Sequence, residues 1–326
     1  VVAALANSGA LLRSEPYLHS YPHCWRCDTP LLYYAKSSWY VRTSDARDQM
    51  LEANQEIGWH PEHIKEGRFG RWLEGNVDWA LSRDRYWGTP LPIWSCESPD
   101  CDETICIGSR EELSKYGGEV PDDLHRPYID EVILNCPADG CGGKMRRSPA
   151  VIDTWFDSGS MPWAQYHYPF ENREVFEERF PADFICEAID QTRGWFYTLL
   201  AESVQLFDRS SYLNCLCVGL ILDGEGHKMS KSRGNVVSPQ EVIDAHGADA
   251  LRWYYLTSQQ PWSGYRFSTE AVGESMRQFL LTLWNTYSFF VTYANLDGWE
   301  PAPAGTAPVR SDHVLDRWIR SRVHST

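Results

Sequence analysis

The pattern of apolar and polar positions in the middle of the chain predicts a strand, a helix and a second strand in succession. A short apolar run spans residues 184–188, and a helical pattern then begins at Asp190 and continues to about Phe207. A second apolar run extends from Cys215 to Leu222 and ends at an Asp-Gly turn. This order predicts an α/β fold that contains part of a parallel sheet. Ligands of such sheets bind beyond the carboxyl ends of the strands.

The last part of the chain has the periodicity of helices. Between Ser268 and Leu296 the apolar residues at helical spacing are Val272, Met276, Phe279, Leu283, Tyr287 and Phe290. Residues 297–311 are rich in Pro, Ala and Gly and predict a loop, and another helix is expected near Asp312. Residues 278–296 carry no charge, but their Gln, Asn, Ser and Thr side chains are too polar for a lipid-facing helix. We therefore interpret them as a buried helix of a soluble protein, without a membrane partner.

The first half of the chain predicts shorter elements and an inserted module. Residues 1–14 have the pattern of the end of a helix, and residues 15–45 predict short strands and turns. A helix is expected from Asp45 to Asn54. Residues 86–148 combine cysteines with Gly and Pro, which is typical of a small inserted module. The chain has no initiator Met and stops within a helical pattern, so we interpret it as an internal fragment of a longer protein.

The composition is that of a packed globular protein. Its 326 residues suffice for two or three domains, and 43% of them are hydrophobic. The formal net charge of -15 argues against a protein that coats nucleic acid, although a large enzyme can still meet a nucleic acid through a local patch. No secretory signal is visible, and the residue usage favours a cytoplasmic location.

Two pairs of cysteines predict a structural zinc site. Cys96 and Cys101 are separated by four residues, and so are Cys136 and Cys141. Four thiolates suit a closed tetrahedral zinc site, and the glycines around Cys141 let the backbone turn tightly around a metal. The alternative is two unrelated pairs of reduced thiols, because four intervening residues are a looser spacing than the common two.

A third pair, Cys24 and Cys27, has the spacing of half of a second zinc site. No free pair remains in the chain to complete it. Either its partners lie outside this sequence, or these are two ordinary thiols.

Residues 226–235 form a glycine-bounded loop that places two lysines, Lys228 and Lys231, three positions apart beside two serines. Such a loop suits a polyphosphate whose charge must be neutralised and then released, because lysine acts as a point charge on a flexible stem. A bare Lys-x-x-Lys is usually a solvated basic loop. The complete Lys-Met-Ser-Lys-Ser string is more specific, and it resembles the second signature of class I aminoacyl-tRNA synthetases.

Three further stretches narrow the resemblance. Residues 82–94 read Ser-Arg-Asp-Arg-Tyr-Trp-Gly-Thr-Pro-Leu-Pro-Ile-Trp, and residues 153–160 read Asp-Thr-Trp-Phe-Asp-Ser-Gly-Ser. Both resemble the isoleucyl, valyl and leucyl subgroup. By physics alone the first is a surface for a phosphate backbone or a structural turn. Residues 180–196 end in Gln-Thr-Arg-Gly-Trp-Phe and resemble isoleucyl-tRNA synthetases, and the likeness covers nearly the whole chain.

The resemblance implies the second half of a class I Rossmann-like catalytic domain with a zinc-binding insertion, followed by the start of an α-helical anticodon-binding domain. Residues 1–45 would return the chain from an upstream editing insertion to the catalytic core. Residues 46–148 would connect the core and hold the zinc module, at about 92–146. Residues 149–265 would be the Rossmann-like half with the Lys-Met-Ser-Lys-Ser loop, and residues 266–326 would begin the helical domain.

The resemblance also implies the reaction. The isoleucine carboxylate attacks the α-phosphorus of ATP, and the isoleucyl group then passes to tRNA(Ile). Mg²⁺ would accompany ATP, zinc would be structural, and the full-length enzyme would be a cytoplasmic monomer. Lys228 and Lys231 would neutralise the departing pyrophosphate.

The resemblance also implies roles for individual residues, at the positions where this sequence matches the motifs of the family. The side chain of isoleucine would be gripped by Trp155 and Trp195, although core packing is the commoner fate of a tryptophan. Without the resemblance, Asp190 would be interpreted as a helix N-cap. The residues implied to contact ATP or the adenylate are Glu187, Asp190, Gln191, Gly219, Lys228, Met229, Ser230, Lys231 and Ser232.

Two departures from the family pattern keep other interpretations open. Ala188 stands where the family has glycine, and its methyl group would crowd the adenosine. Val218 replaces the His or Asn that precedes Gly-Leu in relatives. The alternatives are a valyl or leucyl enzyme and a non-catalytic, synthetase-like tRNA-binding protein. Because the first class I signature is not in this sequence, residues 1–326 alone are expected to be inactive, and robust adenylate formation by them would refute that expectation.

Overall fold

The computed structural model describes residues 1–24, 27–117, 119–230, 233–306 and 311–325. The strands are β1 (Tyr40–Val41), β2 (Gly58–His60), β3 (Trp79–Ala80), β4 (Ser82–Arg83), β5 (Ile93–Cys96), β6 (Thr104–Cys106), β7 (Leu134–Asn135), β8 (Lys144–Arg147), β9 (Val151–Ile152), β10 (Ile185–Ala188), β11 (Asn214–Val218), β12 (Ile221–Leu222) and β13 (Tyr265–Arg266).

The helices in the first half are α1 (Val2–Asn7), α2 (Arg47–Glu56), α3 (Gly70–Glu74), α4 (Arg110–Lys115), α5 (Thr154–Gly159) and α6 (Met161–Ala164). Those in the second half are α7 (Arg173–Arg179), α8 (Trp195–Phe207), α9 (Pro239–His246), α10 (Ala248–Thr257), α11 (Thr269–Ser275), α12 (Leu281–Leu296) and α13 (Val314–Ser325). The chain divides into two compact units, of which the first is Val1–Asp48 with Gly75–Met161 and the second Gln49–Glu74 with Pro162–Thr326.

The first unit contains antiparallel sheets. Strand β1 pairs with β3, and β4 pairs with β9. The predicted module is a four-stranded sheet in the order β6-β5-β8-β7. Its core is a cluster of buried apolar side chains: Trp94, Ile107, Leu113, Ile129, Val132, Leu134 and Met145. This part of the chain therefore has an apolar core of its own.

A buried ion pair fixes the two ends of this module. The side chain of Arg147 is 1% exposed and donates to the carboxylate of Asp130. The same guanidinium donates to the Leu91 carbonyl at 3.1 Å and the Ala150 carbonyl at 2.9 Å. Because Leu91 enters the module and Ala150 leaves it, one side chain holds both crossings together.

The second unit contains the predicted parallel sheet, in the order β10-β11-β2. Helix α8 follows β10, and its residues Phe196 to Val204 are all buried. On β11 the buried positions alternate, with Cys215 and Cys217 inside. The ring of Trp59 on β2 packs against Phe196 at 5.8 Å between centroids. The strand–helix–strand prediction is confirmed.

Two boundaries differ from the predicted ones. The run from Cys215 to Leu222 is two strands in two sheets, because the Gly219 N–H donates to the Pro261 carbonyl at 2.8 Å and β12 then pairs with β13. The helix predicted from Asp190 is a 3-10 segment, Ile189–Arg193, followed by α8. Between them, Gly194 leaves helical backbone values, with φ -150° and ψ -115°.

The C-terminal helices form where they were expected. Ser268 caps α11 by accepting from the Ala271 N–H, and a π segment, Met276–Leu280, joins α11 to α12. The expectation of a buried helix is not met, because none of the residues of α12 is buried. Periodicity fixes which side chains share a face but not what covers that face. Among the described residues, no helix has both the length and the apolar character that a membrane crossing requires.

Candidate functional site

The carboxyl ends of β10 and β11 lie side by side in the second unit. In the parallel register Glu187 is opposite Cys217, and Ala188 is opposite Val218. The chain leaves both strands at the same edge, where ligands of open α/β sheets bind. The Glu187 side chain is exposed there, and Ala188 is half-buried.

The 3-10 turn after β10 presents Asp190 and Gln191. Asp190 is exposed, and no side-chain capping bond is found for the turn. Instead the Gln191 Oε1 atom accepts from the Trp195 N–H at 3.0 Å, at the start of α8. The capping function that residue type alone suggested for Asp190 is therefore carried by Gln191, and the Asp190 carboxylate faces the solvent at the sheet edge.

Neighbouring side chains brace this turn from beneath. The Thr192 hydroxyl donates to the Ile189 carbonyl at 2.7 Å and accepts from Arg68 Nε at 2.8 Å. Thr192 is fully buried. Burial raises the pKa of the Cys217 thiol to about 11, since the opposing effect of the Arg68 charge is smaller and the Asp190 carboxylate adds to the rise. Cys217 is thus a neutral packing residue under the site.

Gly219 is required by a close approach of two backbone segments. A Cβ atom added at Gly219 would lie 2.3 Å from the Ser263 carbonyl oxygen and 2.9 Å from the Gly264 nitrogen. Real Cβ atoms do not approach backbone this closely, so the sequence has glycine where β11 passes into β12. This packing reason is additional to the nucleotide contact that the resemblance implies.

The basic loop follows β12 directly. Leu222 and Lys228 form an isolated antiparallel bridge, and the Asp223 N–H donates to the His227 carbonyl at 2.8 Å. Lys228 is exposed. Met229 packs against the apolar cluster formed by Val242, Ala250, Tyr254, Tyr265, Phe267 and Val272. Its side chain anchors the loop, which reasoning from loop chemistry alone had missed. Lys231 and Ser232 lie outside the described residues.

Two polar residues that the sequence reasoning did not single out organise the same loop. Asp223 Oδ1 accepts from the N–H groups of Glu225 at 3.1 Å and His227 at 2.8 Å. Asp223 Oδ2 accepts from Asn235 Nδ2 at 2.8 Å, and Asn235 Oδ1 accepts from the Ser230 N–H at 2.9 Å. The sequence signal for the role of Asp223 is its place before a glycine, because an Asp in a turn commonly accepts a hydrogen bond from the backbone two positions on.

The two tryptophans predicted to form a side-chain pocket are placed by separate elements. In the first unit, Trp155 is 40% exposed on α5 and lines a cavity of about 600 Å³ together with Trp87 and His125. Asp153 caps α5 by accepting from the Trp155 N–H at 3.3 Å. In the second unit, Trp195 is the half-buried first residue of α8.

The four predicted zinc ligands are brought together in the first unit. The Sγ atoms of Cys96, Cys101, Cys136 and Cys141 all lie within 4.8 Å of one another. The Cys96–Cys141 distance is 3.6 Å, and the Cys101–Cys136 distance is 3.7 Å. A tetrahedron with metal–sulfur bonds of about 2.3 Å has edges of about 3.8 Å, so the sulfur positions fit one zinc ion. The clustering prediction is confirmed.

The clustered thiols shift the pKa values of one another in opposite directions. The Gly143 N–H, followed by the Cys101 and Cys96 thiols, lowers the pKa of Cys141 to about 7. The Glu103 N–H favours the Cys101 thiolate, but its three cysteine neighbours and burial together raise the pKa of Cys101 to about 12. Four thiolates this close need a cation to be ionised together, which is what a bound metal supplies.

The candidate half-site has a compact turn. The Cys24 N–H donates to the Thr29 carbonyl, and the Asp28 N–H donates to the Cys24 carbonyl at 2.8 Å. The Cys27 Sγ atom lies 2.9 Å from the Thr29 hydroxyl, and this hydrogen bond is the largest of those that lower the pKa of Cys27. In the described part of the chain, neither thiol belongs to a cluster of three or more potential metal ligands. The second zinc site stays a prediction.

Comparison with known proteins gives the class to which this fold and loop belong. The family model described as tRNA synthetases class I (I, L, M and V) matches residues 19–264. The chain belongs to this family. The match includes the parallel sheet, the cysteine cluster and the basic loop.

Particular relatives are more specific. The chain is 56% identical, over its whole length, to the "Isoleucine--tRNA ligase" of Clostridium novyi. It is 53% identical over 99% of its length to the protein of the same name from Thermus thermophilus. The chain spans 31% of the length of each of these relatives.

Solved structures share the fold. The Mycobacterium tuberculosis methionyl-tRNA synthetase in complex with methionyl-adenylate aligns with a TM-score of 0.60 at 18% identity, over 94% of this chain and 50% of that one. The LeuRS of Agrobacterium radiobacter, in a ternary complex with tRNA and LeuAMS, aligns with a TM-score of 0.54 at 23% identity, over 78% of this chain and 34% of that one.

Proposed function

We propose that the protein containing this chain is an isoleucine–tRNA ligase that activates isoleucine with ATP and transfers it to tRNA(Ile). The observation that carries the proposal is that all of this chain aligns, with 56% identical residues, to an isoleucine–tRNA ligase. The basic loop and the carboxyl edge of the parallel sheet belong to one unit, and the chain passes from β11 at that edge through β12 into the loop, which supports the same chemistry.

The sheet edge would bind the amino-acid and ribose parts of the adenylate. Glu187 has an exposed carboxylate that can accept hydrogen bonds from ribose hydroxyls. Asp190 can hold the α-ammonium of isoleucine as an opposite charge. Gln191 would contribute its Nε2 atom as a hydrogen-bond donor, since its Oε1 atom already accepts from the Trp195 N–H at the start of α8. Gly219 would let the adenosine lie against the backbone at the end of β11.

The loop would act on the phosphates. Lys228 and Lys231 would neutralise the pyrophosphate as it leaves, with Lys231 the closer of the two, and Mg²⁺ would accompany ATP. Ser230 and Ser232 would donate hydrogen bonds or brace the loop. Met229 would keep the loop attached to the apolar cluster of α9, α10 and α11.

The remaining parts of the proposal concern specificity and organisation. Trp155 and Trp195 would shape the pocket for the branched side chain. The four-cysteine cluster would hold one structural zinc ion, whose chemistry is to cross-link the module through four thiolates. The domain organisation would be that of the family. Residues 1–45 would lead from an upstream editing insertion back to the catalytic core, and residues 46–148 would connect the core and hold the zinc module. Residues 149–265 would be the Rossmann-like half with the basic loop, and residues 266–326 would begin the anticodon-binding domain. The full-length protein would be a cytoplasmic monomer.

The test is ATP–pyrophosphate exchange by the full-length protein with isoleucine, valine and leucine in parallel. Isoleucine should be preferred over valine by about 10- to 200-fold, the limit for one methylene group, for which this enzyme class is itself the standard example. A preference for valine or leucine would assign the protein to a sister enzyme. No exchange by folded, zinc-loaded protein would refute the proposal.

A matched pair of variants tests the loop. Lys228→Met should lower the exchange rate by about 10²-fold, because one charge that stabilises the developing pyrophosphate is lost. Lys115→Met removes an equally exposed lysine from α4 in the first unit and should leave the rate unchanged. Equal rates for the two variants would contradict the role of Lys228.

A further inference from the structure

The two ends of the basic loop are joined by a carboxylate and an amide. Asp223 directly follows β12, and Asn235 lies twelve residues later, yet Asn235 Nδ2 donates to Asp223 Oδ2 at 2.8 Å. The side chain of Asp223 is 20% exposed. The other carboxylate oxygen accepts from the N–H groups of Glu225 and His227. One carboxylate thus holds the turn and the far end of the loop together.

Asn235 in turn holds the backbone that carries the active groups. Its Oδ1 atom accepts from the Ser230 N–H at 2.9 Å, and its Nδ2 atom also lies 3.3 Å from the Lys228 carbonyl. These two bonds lie on either side of Met229. The amide therefore fixes the backbone from which Lys228 projects, whereas the Lys228 side chain itself is exposed.

We propose that Asp223 and Asn235 are a positioning pair that sets the place of Lys228 and Ser230 relative to the phosphates. The inference rests on the proposed function and adds two residues to it. Neither residue needs to touch a ligand, because the pair acts through the backbone of residues 228–230. The Asn235 hydrogen bond is the largest of the effects that lower the pKa of Asp223, so the carboxylate stays ionised as an acceptor at neutral pH.

The alternative is a turn that is merely well hydrogen-bonded. Variants can separate these two interpretations, because each hydrogen bond of the pair has a defined donor and acceptor. The Asn235 amide donates to the Asp223 carboxylate and accepts from the Ser230 N–H. Asn235→Asp keeps the shape of the side chain but removes both donated bonds and places two carboxylates face to face. Asp223→Asn with Asn235→Asp reverses the pair. The new amide at position 223 can then donate to the new carboxylate at position 235, which still accepts from the Ser230 N–H.

The experiment measures ATP–pyrophosphate exchange by the full-length protein and its variants. Asn235→Asp should lower kcat by about 100-fold while the KM for isoleucine stays unchanged, because misplacement of a positioning group by about 1 Å costs this much. The reversed double variant should recover to within about tenfold of the wild type, since the bonds between positions 223 and 235 and to the Ser230 N–H are restored. Full recovery is not expected, because the bond to the Lys228 carbonyl is lost and a carboxylate oxygen then faces that carbonyl. Asn172→Asp is the control, because it also exchanges an amide that donates to a backbone carbonyl, here at an exposed position away from the loop.

Amide hydrogen exchange of residues 223–235 is the second readout. The His227 and Ser230 N–H groups should exchange faster in Asn235→Asp and return to wild-type protection in the reversed pair. If Asn235→Asp retains wild-type kcat, or if the reversed pair stays as inactive as the single variant with the same thermal stability, the positioning role is wrong. Inactivity of the wild type with every amino acid would refute the proposed function instead. The positioning role can be refuted independently of activity, by unchanged amide hydrogen exchange of the loop in Asn235→Asp.

Discussion

Gly219→Ala should damage the protein through backbone crowding rather than through loss of a ligand contact. The added methyl carbon would lie 2.3 Å from the Ser263 carbonyl oxygen and 2.5 Å from the Ser263 carbonyl carbon. Non-bonded carbons are normally separated by about 3.5–4.0 Å. Either β11 or the segment around Ser263 must therefore shift by about 1 Å, and neither contact is with the end of a flexible side chain.

The expected cost is about 1–3 kcal/mol, the range for overpacking in an ordered region. It should appear locally, because the Tyr265 and Phe267 N–H groups donate to the Leu220 and Leu222 carbonyls across the crowded junction. Amide hydrogen exchange of these two groups reports the free energy of local opening even in a protein of several domains. A loss of about 1–3 kcal/mol corresponds to exchange that is about 5- to 150-fold faster.

Gly224→Ala is the control in the same region. An added Cβ there meets nothing within 4 Å. Its effect on the exchange of the Tyr265 and Phe267 amides should be less than about twofold, and a small stabilisation from a stiffer unfolded chain is compatible with it. Unchanged exchange in Gly219→Ala, or equal effects of the two variants, would refute the crowding argument. The glycine would then be explained by ligand contact alone.

Two further predictions concern the first unit. Cys136→Ser should abolish the binding of one equivalent of zinc, measured by metal analysis of the purified protein, whereas Cys106→Ser, which alters an exposed cysteine outside the cluster, should retain it. Arg147→Met should destabilise the module by about 2–3 kcal/mol, measured by hydrogen exchange of the Lys144–Arg147 amides. This loss is smaller than for a fully buried ion pair, because Asp130 is 30% exposed. The control, Arg146→Met, should change the stability of the module by less than about 0.5 kcal/mol. Partial burial alone would raise the pKa of Asp130, but the guanidinium groups of Arg147 and Arg126, both of which donate to its carboxylate, lower that pKa overall. This stabilisation is therefore complete above the unfolded-state pKa of about 3.9 and declines as the pH falls through the lower folded-state pKa. Arg147→Met should make the module less sensitive to acid.

Local patterns predicted the elements that depend on neighbouring residues. The apolar runs at 184–188 and from Cys215 predicted the parallel strands, since short apolar runs that end at turn residues are typical of strands. The spacing of the cysteines predicted the sulfur cluster because each pair sits on one turn. The exposed face of α12 was not predictable, because its apolar spacing is the same whether or not another element covers it.

Contacts between distant residues explain the differences at the site. The break after Val218 is made by Pro261 and Ser263, more than forty positions away. The local signal in residues 215–222 is Gly219, which indicates a close approach but not the segment that approaches. The first N–H of α8, that of Trp195, is bonded by Gln191 rather than by Asp190, because the intervening 3-10 turn shifts the helix start to Trp195. Propensity favours the shorter Asp for such a position, and the tertiary geometry overrides it.

In the second unit, a crowded backbone junction joins the two elements of the proposed site. Strand β11 ends at the edge that carries Glu187 and Asp190, and β12 leads directly to the loop that carries Lys228. Gly219 lies between them. The loop is held at its other side by Met229 in the apolar cluster and by the Asp223–Asn235 pair. A shift at Gly219 must therefore move the loop against two fixed attachments or change its distance from the sheet edge. Under the proposed function the lysines and the carboxylates act on one ligand, so the glycine junction would couple stability to activity. Gly219→Ala should then lower kcat in the same protein in which it speeds local opening.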